Sequence, residues 1–465
     1  MLITNAEIGG AAPFDVRISD ETISEVGRVV ERRGGEPVLD AAGGALLPGL
    51  HDHHLHLLAL AAALSSVPCG PPHVRDAAGL ARALRCAARD GEWIRGTGYF
   101  ESVAGELGRE QLDRIVPDRP LRIQHRTGAL WMLNSAGVDH LGLDRGADAP
   151  GVERDAAGRA TGRLFRLDAF LRERLGSDEA PGLAEAGRRL ARCGVTGVTD
   201  ATAGAGTAQV ALLAAAAGRG DLPQRILAMG SLALSDPVHP RVSRGAVKMQ
   251  LAEDALPDFG EAERIVAQAH AAARSVAFHC VTRAELVFAA AVLDAAGSRA
   301  GDRIEHAAVA PPDAVALLAR LGVCVVCNPG FVRERGDDYL AHVDAEDVPW
   351  LHRGRGFLAA GISLAAGTDA PFGDPDPWRA MRAAVERRTE AGAVLGAGER
   401  LSPEEALALF VSPAEAPGGA PRRVAPGEAA DLCLLDRPWR EAREQLSADC
   451  VAATLAAGRL VWKRA

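Results

Sequence analysis

Short apolar segments alternate with alanine-rich helical segments along most of this chain, and this alternation restricts the possible folds more than any other feature. The eight candidate strands begin near Leu46, Val195, Ile226, Val247, Val276, Arg303, Val323 and Ser363. Helices are predicted after most of them, for example over 261–274, 283–296 and 312–321. Alternating strands and helices form a parallel sheet. Eight such units favour an α/β fold of the closed (β/α)₈ TIM-barrel type over an open doubly wound sheet.

The two ends of the chain have a different pattern. Residues 1–45 and 421–465 contain short alternating strands separated by glycine. Neither end has enough residues to bury a sheet alone, so we expect both to form one small β-sandwich domain beside a barrel domain over 46–420. The interval of about 65–190 far exceeds a βα loop of ~2–6 residues. It is predicted to be an insertion over the mouth of the barrel, where substrate selection is often placed.

Charge and hydropathy argue against several classes of protein. The net charge is −9 and no basic stripe is present, so nucleic acid is not an expected partner. The N-terminal segment lacks the basic start and apolar core of a signal peptide. The most apolar stretch, 55–64, is far shorter than the ~20 residues that span a bilayer. We therefore predict a cytoplasmic protein that acts on a small molecule away from membranes. The sequence leaves open whether it forms a homo-oligomer.

Cysteine spacing gives no independent metal or redox signal. The chain has eight cysteines, and one pair, Cys324 and Cys327, forms a C-x-x-C. No second such pair accompanies it, as a zinc site of this type would require. The segment 323–327 is instead typical of a buried strand, in which residues three apart point to opposite faces.

Histidines are concentrated at the end of the first predicted barrel strand. Because side chains alternate along a strand, Asp52, His54 and His56 share one face, and His51 and His53 share the other. If the first face lines the barrel, two imidazoles can reach one metal. An isolated H-x-H motif is a weak signal, and we have no functional account of His51 and His53.

Further candidate ligands occur strand by strand. Lys248 lies in the fourth predicted strand, while His279, His306 and Asp369 end the fifth, sixth and eighth. Each has a structural alternative: a surface lysine, a core histidine or a helix-capping aspartate. Their common position in the strands nevertheless predicts that they meet at the carboxyl-terminal face of the barrel, where barrel enzymes place their sites.

These motifs resemble the amidohydrolase superfamily, and within it amidohydrolase family 3, which includes N-acyl-D-amino acid deacylases and N-substituted formamide deformylases. The resemblance covers essentially the whole chain. The matching segments are Pro48-Gly49-Leu50, Asp52-His53-His54-Leu55-His56, Val247-Lys248, His279, Ile304-Glu305-His306, Gly367-Thr368-Asp369-Ala370-Pro371, 401–407 and 426–432.

The resemblance implies a set of metal ligands. His54, His56 and Asp369 would bind one divalent metal, and His279 and His306 a second. Lys248 would bridge the two as a carbamate derived from CO₂. Burial beside cations lowers a lysine pKa and supplies the neutral amine that carbamylation needs. Imidazole and carboxylate ligands favour zinc, with manganese, iron and nickel as alternatives, and either one or two ions are compatible with the pattern.

The same resemblance implies hydrolysis of a carbon–nitrogen bond in an amide, formamide or cyclic amide. A metal-bound hydroxide would attack the carbonyl, with Asp369 acting first as general base and then as general acid. Candidate substrate-binding residues, chosen by position, are His125, Arg126, Asn134, Arg283, Asn328 and Arg333.

Three alternatives remain at this point. A deaminase of the same superfamily carries a glutamate three residues after the strand-five histidine, where this chain has Thr282. A lactonase or esterase could use the same site. A metal-free binding barrel would be expected to lack ligands, and here none is missing.

Overall fold

The computed structural model describes residues 1–87, 93–145, 149–175, 182–237 and 239–464. The chain divides into two compact units. One comprises Met1–Leu57 with Leu183–Ala465, and the other comprises Leu58–Gly182. Among the described residues, no helix is both long and apolar enough to cross a membrane.

The strands are grouped by the part of the chain that carries them. The N-terminal strands are β1 (Leu2–Ile8), β2 (Ala11–Ser19), β3 (Thr22–Gly27), β4 (Val38–Asp40) and β5 (Leu46–Pro48). The first barrel strand is β6 (Leu50–Leu55). The second unit contains β7 (Val67–Pro68), β8 (Ile94–Tyr99), β9 (Leu121–His125), β10 (Leu130–Leu133), β11 (Val152–Arg154) and β12 (Ala160–Phe165). The remaining barrel strands are β13 (Val195–Asp200), β14 (Arg225–Gly230), β15 (Val242–Gln250), β16 (Val276–Cys280), β17 (Arg303–His306), β18 (Cys324–Cys327) and β19 (Leu364–Ala366). The C-terminal strands are β20 (Leu432–Leu435), β21 (Val451–Ala456) and β22 (Arg459–Lys463).

The α-helices connect these strands. Those up to the end of the second unit are α1 (Leu57–Leu64), α2 (Ala77–Arg85), α3 (Glu101–Ala104), α4 (Arg109–Asp113), α5 (Ser135–Leu141) and α6 (Asp168–Leu175). Those that follow are α7 (Leu183–Arg192), α8 (Thr207–Arg219), α9 (Phe259–Ala271), α10 (Arg283–Ala296), α11 (Pro312–Leu321), α12 (Gly330–His342), α13 (Arg355–Ala359), α14 (Pro377–Glu386), α15 (Pro403–Ala408) and α16 (Trp439–Ala442).

The predicted barrel is present as a nearly closed parallel sheet of eight strands in the order β6, β13, β14, β15, β16, β17, β18 and β19. Every residue of β13 and of β18 is buried, as expected for strands that are covered on both faces. Beyond the last strand, the amide of Asp369 donates to the carbonyl of His54 at 2.7 Å, and that of His56 donates to Ala370 at 2.8 Å. These bonds join the two edges of the sheet at its carboxyl-terminal end.

The predicted start of the first barrel strand is wrong. Leu46–Pro48 pairs with β20 in another sheet, and the barrel strand begins at Leu50. The switch occurs at Gly49, where a Cβ would lie 2.3 Å from side-chain atoms of Thr196. The Pro48-Gly49 pair is a local signal of a break between two strands, which the prediction of one continuous strand overlooked.

Both ends of the chain form four-stranded sheets, in the orders β3-β2-β1-β4 and β22-β21-β20-β5. Side chains from both sheets meet in one apolar cluster that includes Ile3, Val16, Leu432 and Leu455. The two sheets belong to the same compact unit as the barrel. A β-sandwich that is a separate domain therefore remains a prediction.

The second unit contains a six-stranded sheet in the order β11-β12-β10-β9-β8-β7 and has apolar clusters of its own. Its bounds, Leu58–Gly182, lie close to the insertion predicted at about 65–190.

Gly367 controls how closely the first and last barrel strands approach. A Cβ at this position would lie 2.4 Å from His54 Cβ and 2.5 Å from its backbone nitrogen. We predict that Gly367→Ala lowers the free energy of unfolding by ~1–3 kcal/mol, a typical cost of overpacking. Urea or thermal unfolding measures the change.

Gly398→Ala is the matched control, because among the described residues no atom lies within 4 Å of a Cβ at that position. It should unfold like the wild type. If Gly367→Ala also unfolded like the wild type, the close approach would not constrain the barrel.

Candidate metal centre

Six candidate ligands lie at the carboxyl-terminal ends of barrel strands, which a closed parallel barrel brings to one face. They are His54 on β6, His56 just after it, Lys248 on β15, His279 on β16, His306 at the end of β17 and Asp369 after β19. The predicted strand for Asp369 is too long, because β19 ends at Ala366 and the aspartate follows in the connecting segment.

The first cluster contains His54, His56 and Asp369. The Asp369 Oδ1 atom lies 3.4 Å from His54 Nε2 and 3.2 Å from His56 Nε2. Potential ligand atoms of the three residues all lie within 4.8 Å of one another. Two imidazole nitrogens and one carboxylate oxygen form a donor set that suits a divalent transition metal such as zinc.

The second cluster is the pair His279 and His306. Their Nδ1 and Nε2 atoms, respectively, are 3.0 Å apart, and the rings are nearly perpendicular. Two nitrogens that each lie ~2.1 Å from one metal would be separated by about this distance. Burial lowers the pKa of His306 to about 3 and that of His279 well below its ordinary value. Both rings are therefore neutral, which is the form that binds a metal.

Lys248 lies in the barrel close to both clusters. Its side chain is buried, and no described residue offers a hydrogen-bond partner to its Nζ atom. Burial lowers the pKa of Lys248 to about 8, against the opposing charges of Glu305 and Asp369. A buried amine without a partner is costly. The residues present thus fit a group that would convert this amine into an oxygen ligand between the two clusters.

Asn328 orients the ring of His306. Its Oδ1 atom accepts a hydrogen bond from His306 Nδ1 at 2.7 Å, and its Nδ2 atom donates to the carbonyl of Gly367 at 2.9 Å. The side-chain amide of Asn328 is buried, and both its oxygen and its nitrogen form hydrogen bonds. These contacts direct His306 Nε2 toward His279, and the predicted role of Asn328 in substrate binding remains a prediction.

Two further contacts orient the histidines of the first cluster. Thr202 Oγ1 lies 3.3 Å from His56 Nδ1, and a carboxylate oxygen of Glu305 contacts His54 Nδ1. In both rings Nε2 remains directed at Asp369. Sequence reasoning assigned no role to Glu305, although charged side chains in a strand predicted to lie in the barrel are themselves a signal.

Two of the candidate ligands have strained backbones. His306 has a φ of 67° and Asp369 a φ of 58°. Conformations of this kind cost ~1–3 kcal/mol each and concentrate at functional sites. Asp52 stabilises the segment before Asp369, because its carboxylate accepts hydrogen bonds from the Thr368 amide at 3.0 Å and the Thr368 hydroxyl at 2.5 Å. It also accepts from the His54 amide at 3.1 Å.

His51 and His53 lie away from the cluster, as the alternation along β6 predicts. His51 Nε2 contacts Thr199 Oγ1 at 2.9 Å, and His53 Nε2 contacts Ser412 Oγ at 3.0 Å. Burial lowers the pKa of both histidines well below the ordinary value. They are neutral packing residues of the barrel wall.

A comparison with known proteins agrees with this geometry. The sequence profile described as "Amidohydrolase family" matches residues 37–462. The chain belongs to the amidohydrolase family. It is an amidohydrolase that acts on carbon–nitrogen bonds other than peptide bonds.

Individual relatives of this amidohydrolase extend over nearly its whole length. It is 27% identical to the N-substituted formamide deformylase of Arthrobacter pascens, across 91% of this chain and 90% of that protein. Its fold is similar to that of an uncharacterized metal-dependent hydrolase from Pyrococcus horikoshii, with a TM-score of 0.74 and 22% identity. The alignment covers 94% of this chain and 97% of that protein. Its fold is also similar to that of an uncharacterized metal-dependent hydrolase from Pyrococcus furiosus, with a TM-score of 0.73 and 23% identity. That alignment covers 94% of this chain and 98% of that protein.

Besides Asn328, two more of the six predicted substrate-binding residues of the amidohydrolase lie after barrel strands. Arg283 begins α10 and forms an ion pair with Asp347. Arg333, on α12, is exposed and donates to the carbonyl of Thr389 at 3.5 Å. A role of either residue in substrate binding remains a prediction.

The other three belong to the second unit. His125 contacts Glu101 at 3.0 Å and Thr127 at 2.8 Å. The guanidinium of Arg126 lies 3.3 Å from the ring centroid of Phe100. These two residues remain candidates.

Asn134 is buried, and its side chain caps a helix. Its Oδ1 atom accepts from the Leu121 and Gly137 amides, each at 2.9 Å, and its Nδ2 atom donates to the carbonyls of Val116 and Arg119. These contacts favour a structural role for Asn134 within the second unit.

We predict that purified protein binds up to two divalent transition-metal ions per chain, because the two clusters together supply enough converging donors. Elemental analysis after reconstitution measures the stoichiometry. His56→Ala should weaken the first site and leave the His279 and His306 pair intact. No uptake of metal by the wild type would contradict this interpretation.

Proposed function

We propose that this amidohydrolase is a metal-dependent hydrolase of small amides, formamides or cyclic amides. The observation that carries the proposal is that the two ligand clusters are adjacent, with the ring centroids of His54 and His306 4.7 Å apart. The buried amine of Lys248 interacts electrostatically with both clusters and has no hydrogen-bond partner among the described residues. A barrel face with several neutral imidazoles and an ionised carboxylate is suited to hold a divalent metal beside a substrate.

The metal-holding residues follow from the geometry. His54, His56 and Asp369 would hold one ion, and His279 and His306 another. Lys248 would carry a carbamate that bridges them. When bound, a divalent metal lowers the pKa of water and polarises a carbonyl. Zinc is the ion that this donor set favours.

Asp369 is the proposed general base and acid. Burial alone would raise its pKa, but hydrogen bonds with His54 and His56 hold the pKa well below its ordinary value. Asp369 is therefore a carboxylate at neutral pH and is able to accept a proton from the attacking water. In the second half of the reaction it would deliver that proton to the leaving nitrogen.

The expected substrate has an acyl or formyl group on nitrogen. The similarity to a formamide deformylase supports this class. An aromatic side chain also lies beside the cluster, since the ring of Phe372 meets that of His56 at a centroid distance of 5.4 Å. Phe372 would provide an apolar contact for a substituent on the nitrogen.

The deaminase alternative has less support. The position three residues after His279 holds Thr282, whose hydroxyl accepts a hydrogen bond from the amide of Glu285 at 3.2 Å and caps α10. This position therefore offers no carboxylate for proton transfer. Lactone or ester hydrolysis remains an alternative for the same site.

A hydrolysis screen tests the proposal directly. Metal-reconstituted protein is assayed with N-acyl amino acids, N-substituted formamides, cyclic amides and lactones. Release of an amine from an amide or formamide, abolished by a chelator and restored by metal, is the expected result. Turnover of lactones alone, or release of ammonia from an aminated ring alone, would replace the proposal with one of the alternatives.

We predict that Asp369→Asn lowers kcat by about 10²–10⁴-fold, the usual contribution of general acid–base catalysis. The amide keeps the size of the side chain but cannot accept the proton. Steady-state kinetics, a melting curve and metal content are measured together. A simple helix-capping aspartate would show near-native kcat and a stability loss of only ~1 kcal/mol.

We also predict that Lys248→Ala loses both metal and activity. Short carboxylic acids should restore part of each, because they supply oxygens in place of the carbamate. Mass analysis and metal analysis of the wild type test the bridge itself. A wild-type lysine that stays unmodified while two metals bind would exclude the bridging role.

A further inference from the structure

Three charged or ionisable side chains form a buried chain through the barrel interior. Arg303 and Glu305 come from β17, and His54 comes from β6, which is not a neighbour of β17 in the sheet. Their exposed fractions are 3%, 0% and 1%. Barrel interiors are usually filled by branched aliphatic side chains. Three charged or ionisable side chains in contact with one another in the barrel interior therefore need a specific explanation.

The contacts of Glu305 are directional. One carboxylate oxygen, Oε2, contacts His54 Nδ1, so that the Nε2 atom of the same ring faces Asp369 Oδ1 at 3.4 Å. With a hydrogen on Nδ1 to satisfy the Glu305 carboxylate, a metal can replace the Nε2 hydrogen that Asp369 accepts, and the neutral ring then offers its Nε2 lone pair. This is the tautomer that a metal at the first cluster requires.

Arg303 holds Glu305 in place. Its Nε atom contacts Oε1 of the carboxylate, and its second terminal nitrogen donates to Oε2 at 3.1 Å. The same nitrogen donates to the carbonyl of His53 at 2.7 Å, which fixes the guanidinium to the backbone of β6. The carboxylate therefore cannot rotate away from His54 without losing its contacts with the buried guanidinium.

Stability alone does not account for these contacts. Burying an ion pair removes the solvation of both charges, and well-packed apolar replacements of a buried pair are often as stable or more stable. In metal sites, by contrast, a carboxylate behind a ligating histidine fixes its tautomer and raises its basicity.

We propose that Glu305 is a positioning residue, held by Arg303, that keeps the proton of His54 on Nδ1 and directs its Nε2 at the metal. This inference rests on the proposed function only in taking His54 as a metal ligand. It requires no particular substrate.

The principal test is the double variant Arg303→Met with Glu305→Leu. It removes both charges, so no unpaired guanidinium remains to unfold the barrel. Zinc affinity is measured by competition with a chelator, beside a melting curve. We expect a folded protein whose affinity for zinc falls by about 10–100-fold. The single variant Glu305→Gln, which keeps the size of the side chain, should lose affinity in the same direction.

Asp302→Asn is the matched control. Asp302 is also a fully buried carboxylate that contacts a histidine, with Oδ2 lying 3.0 Å from His270 Nε2. It precedes β17 at the opposite end from the candidate ligands. Its loss should lower stability without changing the affinity for zinc.

A spectroscopic measurement on metal-free protein separates positioning from general destabilisation. Two-bond ¹H–¹⁵N spectra of protein with labelled histidine distinguish the two neutral tautomers, and His54→Ala assigns the relevant signal. We expect a hydrogen on His54 Nδ1 in the wild type and in Asp302→Asn, and its loss in favour of the Nε2–H form in the double variant.

The outcomes distinguish this inference from the proposed function. Wild-type zinc affinity and an unchanged tautomer in the folded double variant would overturn the positioning role. A wild type that binds no zinc would overturn it together with the metal centre. A wild type that binds zinc and loses it in the double variant, yet hydrolyses no amide, would support the positioning role while the proposed function fails.

Discussion

The close approach of the first and last barrel strands is the constraint on which the site depends. Gly367 has no side chain, so its backbone lies directly against His54. The amide of Asp369 then reaches the carbonyl of His54, and Asp369 Oδ1 comes within 3.4 Å of both ring Nε2 atoms of the first cluster. A single methyl group added at Gly367 would collide with His54, whose ring belongs to the first cluster. Barrel closure and assembly of the first cluster are thus the same structural event.

Polar groups inside the barrel are balanced against one another. Burial keeps His279 and His306 neutral, while Glu305 stays ionised: burial opposes ionisation, but Arg303, Lys248 and His54 hold the Glu305 pKa well below its ordinary value. Removing these charged and polar side chains from water costs free energy. Neutral imidazoles beside a buried lysine are the arrangement on which the proposed metal centre depends.

Much of the fold and of the candidate site was predictable from local pattern. Helices α10 and α11 have the predicted bounds, since apolar periodicity and the Thr282 and Pro312 start signals act within a few residues. The alternation of β6 separated His54 and His56 from His51 and His53, because successive side chains of a strand point to opposite faces. The Pro48-Gly49 pair marks a break before β6, but the pairing of Leu46–Pro48 in another sheet was not predictable, because its partner strand β20 lies far along the chain.

By itself, the sequence determined the repeating strand–helix order, the residue types at the strand ends and the family to which the chain belongs. These features follow from local periodicity and from the order of short motifs along the chain. Only the tertiary structure decided that Asn328 orients His306, that Asp52 secures the segment before Asp369, and that Glu305 and Arg303 support His54. Each of these roles depends on a hydrogen bond between residues 22 to 316 positions apart along the chain. No local pattern records such a partner, because the distance between the two atoms is set by closure of the barrel.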